Sequence, residues 1–126
     1  MIRRLRVLIV EDEFLIASYI ADLVEDAGHE VTASVQTGED ALAVLARGNL
    51  DVALLDIKLK GKMNGIEVAR AAQAGGIPHV FVSGSGDPTT RNAAEATRPI
   101  AFLQKPLDQT RLESVLTSVM REMAES

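Results

Sequence analysis

Short apolar runs alternate along the chain with longer segments in which apolar residues recur every three or four positions. The short runs are rich in Val, Leu and Ile and have the length of buried strands, whereas the longer segments have the period of amphipathic helices. This alternation predicts an α/β fold in which helices cover both faces of a parallel sheet. The predicted strands cover residues 5–10, 30–35, 51–56, 78–82 and 100–103, and the predicted helices begin near residues 13, 37, 65, 87 and 108.

The helix predicted to begin at Asp87-Pro88 has the weakest apolar face. Residues 91–98 are rich in Ala but include few large apolar side chains. We therefore expect this helix to be loosely held on the sheet, and loosely held elements are the ones that change conformation most readily.

The composition is that of one ordinary globular domain. The chain has 126 residues, of which 47% are hydrophobic and 25% charged, and it has no Cys. A disulfide framework and a catalytic thiol are therefore excluded. The net charge of -5 argues against non-specific binding to nucleic acid, which needs a basic face. No signal peptide is evident, and no apolar segment approaches the ~18 residues that span a bilayer, so we expect a cytoplasmic protein.

Charged residues lie at the ends of three of the predicted strands or within two residues of them. Glu11 and Asp12 follow the first strand, Asp56 ends the third, and Lys105 follows the fifth. Ligands of an open α/β sheet bind outside the carboxyl ends of the strands, where the strand order reverses. In the flavodoxin-like order 2-1-3-4-5, strands one and three are neighbours, so the three acids are expected to converge. Buried carboxylates are costly unless a cation or hydrogen bonds satisfy them.

These residue types suit a metal ion and a phosphoryl group. Carboxylate oxygens are the hard ligands that Mg²⁺ prefers, and the metal would keep the clustered acids ionised. Asp56 is the candidate nucleophile, because a carboxylate can attack phosphorus to give an aspartyl phosphate. Lys105 would offset the charge of the phosphoryl group, and the Ser83 hydroxyl, at the end of the fourth strand, can donate to it. Gly84 leaves room for a donor to approach.

Each of these residues also has an ordinary structural interpretation. The acids of residues 11–13 could form the solvated first turn of a helix, where the helix dipole favours negative charge. Asp56 could cap a turn, and Lys105 could be a surface lysine. Their joint placement at predicted strand ends favours a common site instead.

Together these residues resemble the receiver domain of bacterial two-component response regulators. The resemblance covers the chain from the first strand to the last helix and implies a CheY-like (βα)₅ fold. It also implies that residues 1–126 form a single, stand-alone receiver domain without an output domain. The matching stretches are VLIVEDE at 7–13, LLDIKL at 54–59, NGIEVA at 64–69, VFVSG at 80–84 and FLQKP at 102–106.

The resemblance implies a role for each matching residue. Asp56 is the phospho-acceptor. The Mg²⁺ ligands are Glu11, Asp12, Asp56 and the backbone carbonyl of Lys58. Ser83 is the switch hydroxyl, and Lys105 neutralises the phosphoryl group.

Further roles follow from the same motif positions. Phe102 is the switch aromatic, although an aromatic residue on a strand is also a common core residue. The side chains at Lys58, Gly84 and Ser85 tune the rate of hydrolysis. The Lys105-Pro106 peptide bond is expected to be cis, a state accessible chiefly before proline.

Some positions depart from the usual receiver pattern. The acid pair is Glu-Asp rather than Asp-Asp, and Ser83 stands where Thr is usual. The loop after Asp56 is one residue longer than in chemotaxis-type receivers and has Gly61 instead of their proline. It carries Lys58, Lys60 and Lys62, which are interpreted as a solvated face more readily than as a docking site. The stretches EDEFLIA at 11–17 and 78–84 are similar to receivers paired with HWE-family histidine kinases.

The implied function is signal transfer rather than turnover. A sensor histidine kinase or histidine phosphotransfer protein would phosphorylate Asp56, and the surface of the last two helices and the last strand would change. A partner protein would then bind that surface, or the domain would act as a phosphoryl shuttle or sink. The resemblance implies no enzymatic activity beyond the domain's own phosphotransfer and dephosphorylation. It also implies a monomer or weak dimer without nucleic acid or membrane partners.

Three alternatives remain open. A haloacid-dehalogenase-like phosphohydrolase also uses Mg²⁺ and an Asp nucleophile, but it needs an acid where this chain has Lys58. A phosphorylation-independent interaction module would not need the intact acids. A flavodoxin-like cofactor binder needs aromatic residues to stack on the ring, and the only Tyr is Tyr19, within the first helix. The two histidines, His29 and His79, are predicted to be structural.

Overall fold

The computed structural model describes residues 4–84 and 87–125. Five strands alternate with five helices along these residues. The strands are β1 (Arg6–Val10), β2 (Glu30–Val35), β3 (Val52–Leu55), β4 (His79–Ser83) and β5 (Ala101–Gln104). The helices are α1 (Phe14–Asp26), α2 (Gly38–Arg47), α3 (Gly65–Ala74), α4 (Pro88–Glu95) and α5 (Gln109–Glu125).

The sheet is parallel, and its strand order is β2-β1-β3-β4-β5. The predicted fold class, a doubly wound CheY-like sandwich in the order 2-1-3-4-5, is confirmed. The order places β1 beside β3 in the middle of the sheet, with Val10 opposite Leu55. The residues that follow these two strands therefore emerge side by side at the same edge.

Two apolar clusters cover the two faces of the sheet. Alternate residues of each strand point to opposite faces, so β1 contributes Val7 and Ile9 to one cluster and Leu8 and Val10 to the other. The first cluster includes residues of α1 and α5, and the second includes residues of α2, α3 and α4. The central strands β1, β3 and β4 are buried on both faces, which explains their continuous apolar sequences.

The predicted element bounds agree with the structure to within one or two residues. The fourth strand, predicted at residues 78–82, is observed at His79–Ser83, and the last strand, predicted at residues 100–103, is observed at Ala101–Gln104. The Ile100 amide already donates to His79 O at 2.8 Å, and Gln104 pairs with Ser83, so the strand is extended towards the site. Among the described residues, no helix is both long and apolar enough to span a membrane.

Helix α4 is held on the sheet by few apolar contacts, as its sequence predicts. Of its residues, all of which are described, only Ala94 is fully buried. Its first turn is capped by Asp87, whose carboxylate accepts hydrogen bonds from the Thr90 amide at 2.9 Å and the Thr90 hydroxyl at 2.7 Å. The N-terminus of the helix is therefore capped, but the helix is weakly attached to the sheet.

A buried hydrogen bond fixes the chain just after α4. Thr97 donates its hydroxyl proton to Ala94 O at 2.6 Å. Because that proton is used, the Thr97 hydroxyl oxygen accepts a hydrogen bond from His79 Nε2 at 2.8 Å. His29 is also buried, and its Nδ1 accepts a hydrogen bond from the Leu5 amide at 3.0 Å. Both histidines thus have structural partners, in agreement with the sequence analysis.

The loop between β3 and α3 lies across the start of α2. Lys60 forms a parallel bridge with Thr37, and Met63 packs closely against Gly38. Leu59 and Met63 are half-buried against the second cluster, whereas Lys58, Lys60 and Lys62 are exposed. The loop is therefore held in a strand-like crossing beside α2.

Candidate functional site

The carboxyl ends of β1, β3, β4 and β5 enclose one pocket at an edge of the sheet. Its walls include six residues that the sequence analysis singled out, together with the N-cap residue of α1 and one residue of its first turn. The lining residues are Asp12, Glu13, Ile16, Asp56, Lys58, Ser83, Gly84 and Lys105. Glu11 lies directly beneath them, with a relative exposure of 1%.

Backbone hydrogen bonds extend the strands by one residue and fix the site residues. The Glu11 amide donates to Val35 O at 3.0 Å, and the Asp56 amide donates to Val10 O at 2.9 Å. The Lys105 amide donates to Ser83 O at 3.0 Å. The backbone of each charged residue is therefore anchored to a neighbouring strand, which fixes the position from which its side chain extends.

Lys105 connects the acids of two different strands. Its Nζ donates to Glu11 Oε1 at 2.6 Å and to Asp56 Oδ2 at 3.2 Å. The second Glu11 oxygen accepts a hydrogen bond from the Glu13 amide at 3.1 Å. The buried carboxylates thus have charge-assisted partners, and among the described residues no buried side-chain polar atom lacks a hydrogen bond.

Burial and charge pairing act in opposite directions on the acid–base properties of the site. Burial raises the pKa of Glu11, while the hydrogen bonds from Lys105 and the Glu13 amide oppose that rise. Burial alone would lower the pKa of Lys105, but its hydrogen bond to Glu11 and the charge of Asp56 raise it above its ordinary value. Lys105 therefore remains a cation at neutral pH.

The donor set fits a hard divalent cation. Glu11, Asp12 and Asp56 each offer a carboxylate oxygen, and these oxygens lie within 4.8 Å of one another. Asp12 is half-buried, whereas the other two acids are buried. An all-oxygen set that is open on one side suits Mg²⁺, which usually keeps several waters. The three predicted ligands are therefore brought together, and Lys58 lies in the wall of the same pocket.

The remaining predicted residues that the structure describes lie on β4 and β5 or directly after β4. Ser83 is buried at the end of β4, and Gly84 is exposed beside Lys105. Phe102 is half-buried on β5, where its ring centroid lies 5.9 Å from that of Phe81. Ser85, predicted to tune hydrolysis, lies outside the described residues. The Lys105-Pro106 peptide bond is cis, as predicted.

Gly65 supports Asp56, although the sequence analysis gave this glycine no role. A Cβ at Gly65 would lie 1.8 Å from Asp56 O, closer than any real contact. The Gly65 amide also donates to Ile57 O at 2.8 Å. Asn64 and Glu67 form a capping box that fixes the start of α3 at this point. The capping pattern is visible in the sequence, but the close approach of two backbone segments is not.

The family follows from a match over most of the chain. Residues 7–117 match the model of the response regulator receiver domain. The chain belongs to this receiver family. Receivers of two-component systems interact with histidine kinases and downstream effectors, and they bind Mg²⁺ at an acidic pocket.

Curated relatives are identical to this receiver at about a third of the aligned positions. An uncharacterised response regulatory protein of Yersinia pestis is 33% identical over 121 residues, covering 94% of this chain and 50% of its own length. The sensory transduction protein RegX3 of Mycolicibacterium smegmatis is 31% identical over 121 residues, covering 95% and 52%. The chain thus spans about half the length of these relatives.

Solved receiver structures superimpose on almost the whole chain. The signal receiver domain of a modulated diguanylate cyclase from Desulfovibrio desulfuricans has a TM-score of 0.92 and 29% identity, covering 98% of this chain and 100% of that one. A CheY-like receiver domain protein from Methanospirillum hungatei has a TM-score of 0.87 and 25% identity over the same shares. The receiver assignment and fold are therefore confirmed, whereas the individual residue roles, the single-domain organisation and the HWE-kinase pairing stay predictions.

Proposed function

We propose that this receiver accepts a phosphoryl group on Asp56 and transmits the modification to a partner protein. The observation that carries the proposal is the pairing of Lys105 with both Glu11 and Asp56 in an open pocket. A lysine held between two acids at strand ends can exchange one carboxylate for a phosphoryl oxygen with little movement. Such preorganised charge is the main contribution of a protein to phosphoryl transfer.

Asp56 performs the covalent step. One of its carboxylate oxygens attacks the phosphorus of the donor and forms a new P–O bond. The bond between phosphorus and the leaving atom of the donor breaks, and the leaving group takes the electron pair. With a phosphohistidine donor, the imidazole is released; with acetyl phosphate, acetate is released. Water later hydrolyses the acyl phosphate and restores the Asp56 carboxylate.

Glu11, Asp12 and Asp56 would hold Mg²⁺, with the Lys58 carbonyl as a further ligand. The bound ion would supply positive charge beside the transferred phosphoryl group. Lys105, which follows β5, supplies a second positive charge, because it stays protonated at neutral pH. Asp56 is 7% exposed and faces the pocket opening, which restricts the approach of a donor to one direction.

Ser83 and Phe102 carry the signal away from Asp56. The Ser83 hydroxyl donates to the new phosphoryl group, and Phe102 moves into the space that Ser83 leaves. Both residues lie on adjacent strands, where Ser83 pairs with Gln104 and Phe81 with Phe102. The α4-β5-α5 surface, made of those three elements, then changes for its partner. The weak attachment of α4 supports this proposal, since a loosely held helix responds to small shifts beneath it.

Membership of the receiver family supports a proposal for the partners and the setting. We propose a sensor histidine kinase or histidine phosphotransfer protein as donor and a protein that binds the α4-β5-α5 surface as effector, in the cytoplasm. Lys58 and Gly84 line the pocket, and we propose that these two residues and Ser85 tune the lifetime of the phosphoryl group. The phosphohydrolase alternative is disfavoured, because exposed Lys58 occupies the position where such enzymes need a second acid.

The test is intact-mass measurement after incubation with Mg²⁺ and acetyl phosphate. The wild type should gain one phosphoryl adduct, and Asp56→Asn should gain none. Asp51→Asn is the matched control, because Asp51 is a buried aspartate just before the same strand but pairs with Arg6, away from the pocket. An adduct that persists in Asp56→Asn would contradict the assignment of the acceptor. A folded wild type without any adduct would leave two alternatives, a receiver that accepts phosphate only from its kinase and the phosphorylation-independent module. Spectral shifts on adding beryllium fluoride would then favour the first.

A further inference from the structure

Tyr19 of α1 donates a hydrogen bond to the connection between β5 and α5, which covers residues 105–108. Its hydroxyl lies 2.7 Å from Leu107 O, 88 residues further along the chain. Leu107 is 3% exposed, whereas Tyr19 is 47% exposed. The hydroxyl of a tyrosine at the surface therefore reaches the backbone of a buried residue that lies two positions after Lys105.

This hydrogen bond falls between two other anchors of the connection. Before it, the Lys105 amide donates to the end of β4 at 3.0 Å. After it, the Asp108 carboxylate accepts a hydrogen bond from an amide in the first turn of α5 at 2.8 Å. Pro106 has no amide hydrogen to donate. The carbonyl group of Leu107, bound by Tyr19, is therefore a fixed backbone point between the two anchors.

The same helix also contacts the pocket. Ile16 lines the pocket and lies three positions before Tyr19, so both residues are on one side of α1. The amide of Glu13, the N-cap residue, donates to Glu11 at 3.1 Å. Thus α1 holds the carboxylate that pairs with Lys105 and, through Tyr19, the backbone that follows Lys105.

The position of the Lys105 backbone matters because its side chain is long and flexible. Its ammonium nitrogen lies 2.6 Å from Glu11 Oε1 and 3.2 Å from Asp56 Oδ2, which is close enough to pair with both acids. A lysine carries its charge on four rotatable carbons, so the direction of the charge depends on where the backbone lies. Charge assists phosphoryl transfer only when it is held in place before the reaction, and small displacements lower the rate.

We propose that Tyr19 is a positioning residue, which holds the connection after Lys105 so that the ammonium group stays directed at Asp56 during phosphoryl transfer. The inference rests on the proposed function, since it assigns Tyr19 an effect on the reaction of Asp56. Tyr19 does not line the pocket and takes no part in the covalent step. Its hydroxyl acts through the backbone of Leu107.

The experiment compares the rate of adduct formation with acetyl phosphate at saturating Mg²⁺, followed by intact mass, in Tyr19→Phe and the wild type. The substitution retains the ring and removes only the hydroxyl. The rate should fall about two- to tenfold, the factor that one hydrogen bond contributes.

Gln109→Ala is the matched control. Gln109 Nε2 donates to Leu23 O at 3.0 Å, so it also links the start of α5 to α1, but it lies beyond the cap at Asp108. Its removal should lower the stability about as much as Tyr19→Phe does, whereas the rate of adduct formation should equal that of the wild type.

A double-mutant cycle separates positioning of Lys105 from a general loss of structure. In the Lys105→Ala background there is no ammonium group to direct, so adding Tyr19→Phe should not lower the rate further. If the wild type gains no adduct from acetyl phosphate, the affinity for beryllium fluoride, a phosphoryl analogue, replaces the rate in every comparison.

Three results would overturn the inference while leaving the proposed function intact. They are a Tyr19→Phe variant as reactive as the wild type, equal decreases in Tyr19→Phe and Gln109→Ala, and an undiminished effect of Tyr19→Phe in the Lys105→Ala background. A folded wild type that neither gains an adduct nor binds beryllium fluoride would instead overturn the proposed function, and this inference with it.

Discussion

At the scale of single residues, Lys105 is the centre of the site. Its ammonium group lies against two carboxylates that are almost fully buried, Glu11 at 1% and Asp56 at 7% exposure. Removing one member of a buried charge cluster is costly because the remaining charges lose their partner. The same residue is thus expected to stabilise the fold and to assist phosphoryl transfer.

Lys105→Ala should lower the free energy of unfolding by about 3 kcal/mol in the absence of divalent cations. Added Mg²⁺ should recover part of this loss, because it supplies another positive charge to Glu11 and Asp56. Denaturant unfolding with EDTA and with Mg²⁺ measures both effects. Lys60→Ala is the control, since Lys60 is exposed and should change the stability by less than about 0.5 kcal/mol. Equal losses in the two variants would contradict the role of Lys105.

His79 makes the stability depend on pH. Burial lowers its pKa below the ordinary value, so the unfolded chain binds a proton more readily than the folded protein does. The stability is therefore complete above the unfolded pKa of about 6.5 and is lost as the pH falls below it. His79→Gln cannot titrate, so its melting temperature should fall less between pH 7 and about pH 5.5 than that of the wild type. His29 is retained in both proteins and cancels in the comparison; parallel pH profiles would contradict the prediction.

At the scale of elements, the start of α3 determines where Asp56 lies. Gly65 allows the helix to begin against the backbone of residue 56, and the capping box of Asn64 and Glu67 fixes that start. The loop before it crosses to α2 through the bridge between Thr37 and Lys60. Asp56 is therefore positioned from both sides, by β3 before it and by α3 after it.

Gly65→Ala should be destabilising, by about 1–3 kcal/mol, because its Cβ would overlap Asp56 O and force the backbone to move. The displacement of Asp56 should also slow its phosphorylation by acetyl phosphate. Gly75→Ala is the matched control at the other end of the same helix, where the nearest atom to an added Cβ is 3.5 Å away. Unfolding curves and adduct rates for both variants test this prediction. It is contradicted if the two glycines tolerate alanine equally well.

At the scale of the whole molecule, we expect metal binding to link the acidic site to the stability of the fold. A ligand that binds only the folded state raises its stability in proportion to the logarithm of its concentration. Mg²⁺ should therefore raise the melting temperature, and NaCl at equal ionic strength should not reproduce the full shift. In Asp12→Asn the shift should be much smaller, because one of the three clustered carboxylates is lost. A shift of the same size in this variant would argue against the proposed metal site.

The architecture of the molecule is predictable from the sequence because local patterns of apolar residues determine it. Apolar runs at β1, β3 and β4 identify buried strands, and the alternation with helices requires a parallel sheet. The same argument brings Glu11, Asp12 and Asp56 together, since the carboxyl ends of parallel strands share one edge. The convergence of the candidate site was therefore predictable before any side-chain position was known.

Contacts between elements that are far apart in sequence were not predictable in this way. The approach of Gly65 to Asp56 and the stacking of Arg91 on Phe102 depend on how α3 and α4 lie on the sheet. The periodicity of a helix indicates which face is apolar but not where one exposed arginine will lie. Burial of Glu11 beneath the pocket likewise depends on the length of its side chain and on the position of Lys105.

The most direct test of the account is to locate the phosphoryl group on the chain. After incubation with Mg²⁺ and acetyl phosphate, borohydride reduces an aspartyl phosphate to homoserine, and peptide mass spectrometry identifies the reduced position. The account predicts homoserine at position 56 and unreduced acids at positions 11 and 12. Reduction at another carboxylate would contradict Asp56 as the phospho-acceptor.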